Sequence, residues 1–238
     1  MRNKFLFVSV FALGIESSQA HFYVGGDVGL NAAQSNVTFT RDPDGADPHG
    51  DYYTLKPSHN SFVAGIFGGW TFKSGIFAAG VEVGGTASTM SDKVFTLSPR
   101  DGINEKFTIK SPGSLEVSTR FGVYTNPQSY LYIKPGVIVT RIKTTFSGTD
   151  SVSTPGQVYQ DRRGASSSTG AFKLALGYEG FLSTRFSVRS EVSHTFGTNH
   201  RLHIPSYAGA AYSAEQTTIK FRTSHTAFKI GIAYHFGQ

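Results

Sequence analysis

Large apolar residues occupy every second position at Phe228, Ile230, Ile232, Tyr234 and Phe236, with Lys229, Gly231, Ala233 and His235 between them. Side chains on a strand point alternately to opposite faces, so this segment reads as a strand with one apolar face and one small or polar face. A helix would smear both sets around its circumference. The same repeat recurs along the chain. Phe22, Val24, Gly26, Val28 and Leu30 alternate with Tyr23, Gly25, Asp27, Gly29 and Asn31, and further dyad segments cover residues 62–72, 77–85, 114–124, 130–141, 170–178 and 186–196. No internal apolar run approaches the roughly 18 residues that a membrane-spanning helix needs. The chain is constrained to fold as sheet.

Eight strands result, and the connections between them alternate long and short. The polar, turn-forming stretches 32–60, 86–112, 143–168 and 197–222 read as loops, whereas residues 73–75, 125–129 and 180–184 read as tight turns. An up-and-down meander puts all the short connections at one end and all the long ones at the other. An even strand number with this sidedness predicts an all-β fold: an eight-stranded antiparallel up-and-down transmembrane β-barrel with four long extracellular loops and short periplasmic turns. Pro135 lacks a backbone donor inside the fifth strand, where a bulge is expected.

Periodicity alone does not say which face looks outward, because a soluble barrel would bury the apolar one. Two features decide it. The polar face consists mostly of Gly, Ala and Ser with charges of both signs: Glu82, Glu116, Arg120, Lys134, Lys173, Arg189, Glu191 and Lys229. Small residues suit a narrow eight-stranded interior, and charges placed there need opposite partners. Aromatics also gather beside the short turns, where Phe22, Trp70, Phe72, Tyr130, Tyr178 and Phe186 are expected to form a girdle at a membrane interface.

At 238 residues one barrel accounts for the chain, divided into a signal peptide at 1–20 and an outer-membrane barrel at 21–238. Arg2 and Lys4 precede a short apolar run, and Ser18 and Ala20 are small residues at the cleavage-determining positions. Cysteine is absent, which excludes a disulfide framework and thiolate metal sites. The net charge of +6 is scattered rather than gathered on one face, which argues against nucleic acid as a partner.

These stretches resemble the eight-stranded outer-membrane barrels of the OmpA-like and opacity-protein group. The resemblance rests on the opening Phe22-Tyr23-Val24-Gly25-Gly26 with Gly29, on Arg189-Ser190-Glu191-Val192, and on the closing Gly231-Ile232-Ala233-Tyr234-His235-Phe236. Val192 stands where an aromatic is common, and Gly237-Gln238 follow the aromatic that usually closes such chains. The resemblance implies insertion by the outer-membrane assembly machinery, with Tyr234 and Phe236 as the C-terminal assembly signal. It also implies contact with outer-membrane lipids including lipopolysaccharide, and display of surface loops to a host protein or glycan.

The chemistry-bearing residues point away from catalysis, and no cofactor is expected. The inward charges read as a structural core, with a narrow pore for ions or small solutes as the alternative. Residues 42–47 carry Asp42, Asp44 and Asp47, but their spacing is not that of a calcium loop, and Asp, Pro and Gly also simply make turns. A lipid-modifying enzyme or protease would need a histidine paired with Ser or Asp near the outer rim. The candidates are His194, Asn199, His200 and His203; Ser193 and His194 are adjacent on a strand and therefore point apart. Tyr52, Tyr53, Tyr207 and Tyr212 in the loops, with Arg201, Lys220 and Arg222, are the residues available for adhesion.

Overall fold

The computed structural model describes residues 19–42, 52–56, 58–89, 93–97, 103–150, 159–204 and 216–236. They form strands only: β1 (Gln19–Asp42), β2 (Tyr52–Leu55), β3 (Ser58–Ser74), β4 (Phe77–Ser88), β5 (Lys93–Leu97), β6 (Ile103–Asn126), β7 (Ser129–Asp150), β8 (Tyr159–Phe181), β9 (Phe186–Ile204) and β10 (Gln216–Phe236). Eight of them run in the order β10-β9-β8-β7-β6-β4-β3-β1, every neighbour antiparallel, and pairing of β1 with β10 closes the ring. The short β2 and β5 lie against the outer ends of β1 and β6.

Closure leaves no strand edge in the wall, and the apolar residues face out. Ile66 is 75% exposed and Leu115 68%, while Glu82 and Lys134 are each 2% exposed. A soluble barrel has the opposite arrangement. This surface is built for lipid, where every backbone polar group must be satisfied within the protein. The short turns have recognisable chemistry. Gly75 opens the two-residue β3–β4 turn at φ 60°, a backbone conformation that suits glycine. The Asn126 side chain accepts from Gln128 N at 2.8 Å, and Ser183 Oγ accepts from Phe186 N at 3.1 Å.

Two expectations are corrected. The four polar stretches are largely strand rather than loop. The β6–β7 ladder runs out to Ile103↔Asp150, β7–β8 to Asp150↔Tyr159, and β1–β10 to Asp42↔Gln216. Beyond the bilayer both faces of a strand meet water, so pairing persists there without an apolar face to announce it. Residues such as Thr144, Thr145, Thr217 and Thr218 still supply β-preference. Pro135 makes no bulge. The β6–β7 register is the same on both sides of it, with the ladder merely interrupted opposite Thr119 and Arg120. The β6–β7 register shifts instead between Lys110 and Gly113, around Pro112, and beside the turn at Tyr124 and Asn126.

Candidate functional site

Alternation along the eight wall strands brings a set of ionisable side chains into the lumen. Five carboxylates (Asp27, Glu82, Glu116, Glu179, Glu191) and five cations (Arg120, Lys134, Lys173, Arg189, Lys229) are buried there together. They form a ladder along the barrel axis. Nearest the short turns, Arg120 Nη2 pairs with Glu179 Oε2 at 2.6 Å, and Tyr130 donates its hydroxyl to the same oxygen at 2.9 Å. One level up, Glu82 receives Arg189 at 2.7 Å, Lys134 at 3.0 Å and the Tyr23 hydroxyl at 2.9 Å. Above it Lys134 reaches Glu191 at 2.6 Å and Lys173 reaches Glu116 at 2.6 Å. Lys229 meets Asp27 at 3.2 Å, and Arg189 meets the same carboxylate at 3.4 Å.

Aromatic rings fill the space between these charges. The Arg120 guanidinium lies 3.9 Å from the Tyr132 ring centroid, and that of Arg189 lies 3.2 Å from the Phe67 centroid. Delocalised cations over π-faces are favourable and hold the guanidinium planes in place. Ion pairs in a low-dielectric interior cost desolvation, so their net contribution to stability is small while all partners are present. What they do supply is register. Slipping any strand by one residue would turn its charges out into lipid and its apolar side chains into the lumen.

Glu82, Glu116, Arg120, Lys134, Lys173, Arg189, Glu191 and Lys229 are all buried in the lumen. Among the girdle aromatics, Tyr130 is placed differently from the rest. Phe22 packs with Trp70 at 5.2 Å between ring centroids and with Phe236 at 5.3 Å, while Phe72, Tyr178 and Phe186 are exposed on the outer surface. Tyr130 does not join them. It is buried inside the base, because it shares the inward parity of Tyr132 and Lys134 rather than that of Leu131. Tyr234 and Phe236 contact each other near the base at 4.8 Å between centroids.

Sequence reasoning missed Asp27, Glu179, Tyr23, Tyr130 and Tyr132 as members of the ladder. The signal was present, since Glu179 has the parity of Lys173 on β8 and Asp27 that of Tyr23 on β1. His194 is exposed on the outer face, its Nδ1 3.0 Å from Thr226 Oγ1, while the adjacent Ser193 is buried on the inner face. Within the base, His235 Nε2 lies 2.8 Å from Ser187 Oγ and 3.2 Å from Glu179 Oε1. Both contacts use one ring nitrogen, so the group is not a nucleophile–base–acid relay, which needs opposite nitrogens. No cluster with the makings of a metal site occurs among the described residues. Lys220 and Arg222 are exposed on β10. The side chains of Asp42, Tyr52, Tyr53, Asn199, His200, Arg201 and His203, and residues 43–51, 205–215 and 237–238, lie outside the described residues.

Closed, antiparallel, apolar outside and ionic within, the chain is a transmembrane β-barrel of the outer-membrane kind. Solved structures similar to it include the outer membrane protein OprG from Pseudomonas aeruginosa, at 14% identity over 93% of this chain and 98% of that one, with a TM-score of 0.42. Neisserial surface protein A is similar at 11% identity over 92% and 99%, with a TM-score of 0.40. Ail, the attachment invasion locus protein of Yersinia pestis, is similar at 13% identity over 89% and 98%, with a TM-score of 0.32. No family model matches the sequence, and no curated protein matches it.

Proposed function

We propose that this chain is an integral, non-enzymatic surface protein of a Gram-negative outer membrane, exported by a signal peptide at 1–20. Its barrel is the anchor and its outer strand ends are the working part. The observation that carries this reading is the ladder of five carboxylates and five cations across the lumen. A narrow barrel filled in this way offers a rigid support rather than a conduit. The outer parts of β1, β6, β7, β8, β9 and β10 carry the pairing beyond the lipid-facing belt, and in the sequence residues 43–51, 151–158 and 205–215 follow their outer ends. Loops on a rigid scaffold are where binding residues concentrate, and the partner is a host surface protein or glycan. Lipopolysaccharide surrounds the barrel, and the outer-membrane assembly machinery inserts it.

The reading is tested in two measurements on the full chain. In planar bilayers the refolded protein is expected to give no discrete conductance steps; reproducible steps would make it a narrow pore. In whole cells, shortening the connections at 43–51 or 205–215 is expected to abolish adhesion to host cells while the unboiled protein keeps its folded gel mobility. Adhesion that survives shortening of every such connection removes the surface-binding role.

A further inference from the structure

Above the ionic ladder, toward the outer end, the lumen opens into a cavity of about 70 Å³. A single buried water needs about 10–15 Å³ on this scale, so the cavity has room for a tetrahedral oxyanion. Its lining includes Lys173 and Lys229, and among the described residues it includes no carboxylate. Most of the rest of the wall is short hydroxyl side chains, among them Thr86, Ser193 and Thr195. The acids that pair with the two lysines lie nearer the base than the lining residues of their own strands: Glu116 below Ser114, Glu191 below Ser193, Asp27 below Asn31. The two ammonium groups are therefore the ladder charges that line the cavity.

Among the described residues, Lys173 has donors to spare. An –NH₃⁺ group carries three N–H donors. Lys229 uses them on Asp27 at 3.2 Å and on Thr86 Oγ1 at 3.2 Å. Lys173 lies 2.6 Å from Glu116 and 3.6 Å from Glu191. Lys229 also reaches the second Asp27 oxygen at 3.5 Å, whereas the one hydrogen bond of Lys173 among the described residues is that to Glu116. Backbone pairing thins at this level, where Phe172 of β8 and Phe196 of β9 meet at 5.6 Å between ring centroids. The β8–β9 ladder ends at Lys173↔Thr195 although both strands continue outward, and the β4–β6 ladder ends at Ala87↔Gly113.

We propose that this cavity binds a small oxyanion of the phosphate class, with Lys173 and Lys229 as its charged floor and the hydroxyls of Thr86, Ser193 and Thr195 as its wall. Charge-assisted bonds from two ammoniums, together with neutral donors that need no counter-charge, are the chemistry that recognises such a group. The anion arrives either free from the outer medium or as the headgroup of a lipid that enters where the β8–β9 ladder ends.

The test is calorimetric titration of the refolded full chain, in phosphate-free detergent buffer, with inorganic phosphate. Saturable binding at one site per chain is expected. Ala227→Leu fills the cavity while leaving every ion pair in place, and it is expected to weaken binding by about tenfold or more. Lys229→Gln should do the same. Folded gel mobility is checked for both variants; if Lys229→Gln does not fold, Ala227→Leu decides. Absence of saturable binding to the parent protein, or binding unchanged in folded Ala227→Leu, overturns the proposal. Phosphatidic acid in mixed micelles distinguishes the sources. Competition with inorganic phosphate identifies a lipid headgroup, and phosphate binding without competition identifies the free anion.

Discussion

The two halves of the lumen are lined by the same eight strands and filled by different chemistry. Toward the short turns, Tyr23, Phe67, Tyr130 and Tyr132 lie among Arg120, Arg189, Glu82 and Glu179. Toward the outer end, Ser114, Thr140, Ser193 and Thr195 line an open cavity. The lower half admits its rings because glycines stand opposite them. A Cβ added at Gly69 would lie 2.7 Å from the Tyr23 hydroxyl, and one at Gly177 would overlap the Tyr132 ring. The difference teaches that an eight-stranded barrel is closed by what it contains rather than by its strand number. Large side chains paired with glycines close one end, and a wall rich in Ser and Thr leaves the other open.

Four substitutions break or sharpen this contrast. Glu82→Ala is expected to have the largest effect, because it strips Arg189, Lys134 and Tyr23 of a shared partner and leaves buried cations uncompensated. A loss of about 3–5 kcal/mol is expected from urea unfolding in lipid vesicles. Next is Ile66→Arg on the lipid face, with an expected loss of about 2–4 kcal/mol in the same assay. Equal unfolding midpoints for Ile66→Arg and the parent would mean that this face does not meet lipid. Gly177→Leu overpacks the lower half against Tyr132 at an expected cost of about 1–3 kcal/mol. A second change, Tyr132→Ala, should recover part of that loss, whereas strictly additive losses would deny the glycine–ring pairing. Smallest is Thr140→Val in the upper half, expected to stay within about 0.5 kcal/mol of the parent. A loss there as large as that of Glu82→Ala would erase the distinction between the halves.

Much of this was legible from alternation. Within the bilayer each strand must present an apolar face, so β3, β4 and the membrane-spanning part of β10 announce themselves. The inward parity of Glu82, Arg120 and Arg189 follows from the same rule. Outside the bilayer the rule lapses. The outer parts of β6 to β8 keep their hydrogen bonds in water without an apolar face, and their Ser, Thr, Gly and Asp content reads as loop. Tyr130 was misassigned because closeness to a turn was weighed above parity. Pro135 was expected to disturb the ladder, and the strand keeps its register with bonds missing opposite it. The cavity was illegible because it depends on which residues from all eight wall strands reach one level of the barrel, and sequence separation carries no record of that.

Pairing of β1 with β10 sets Phe22 opposite Phe236 and Asp27 opposite Gly231. The seam of the barrel therefore joins residues from the two extremes of the described strands, and it is the contact with the greatest loop to close. Until β10 is in place, β1 exposes a bare edge in an environment without water to satisfy it. The other ladders link strands that are neighbours in sequence and can form locally. A folding order follows, with hairpins assembling early and the seam last. Truncation within β10 should thus leave a sheet that is nearly complete yet unable to remain in lipid.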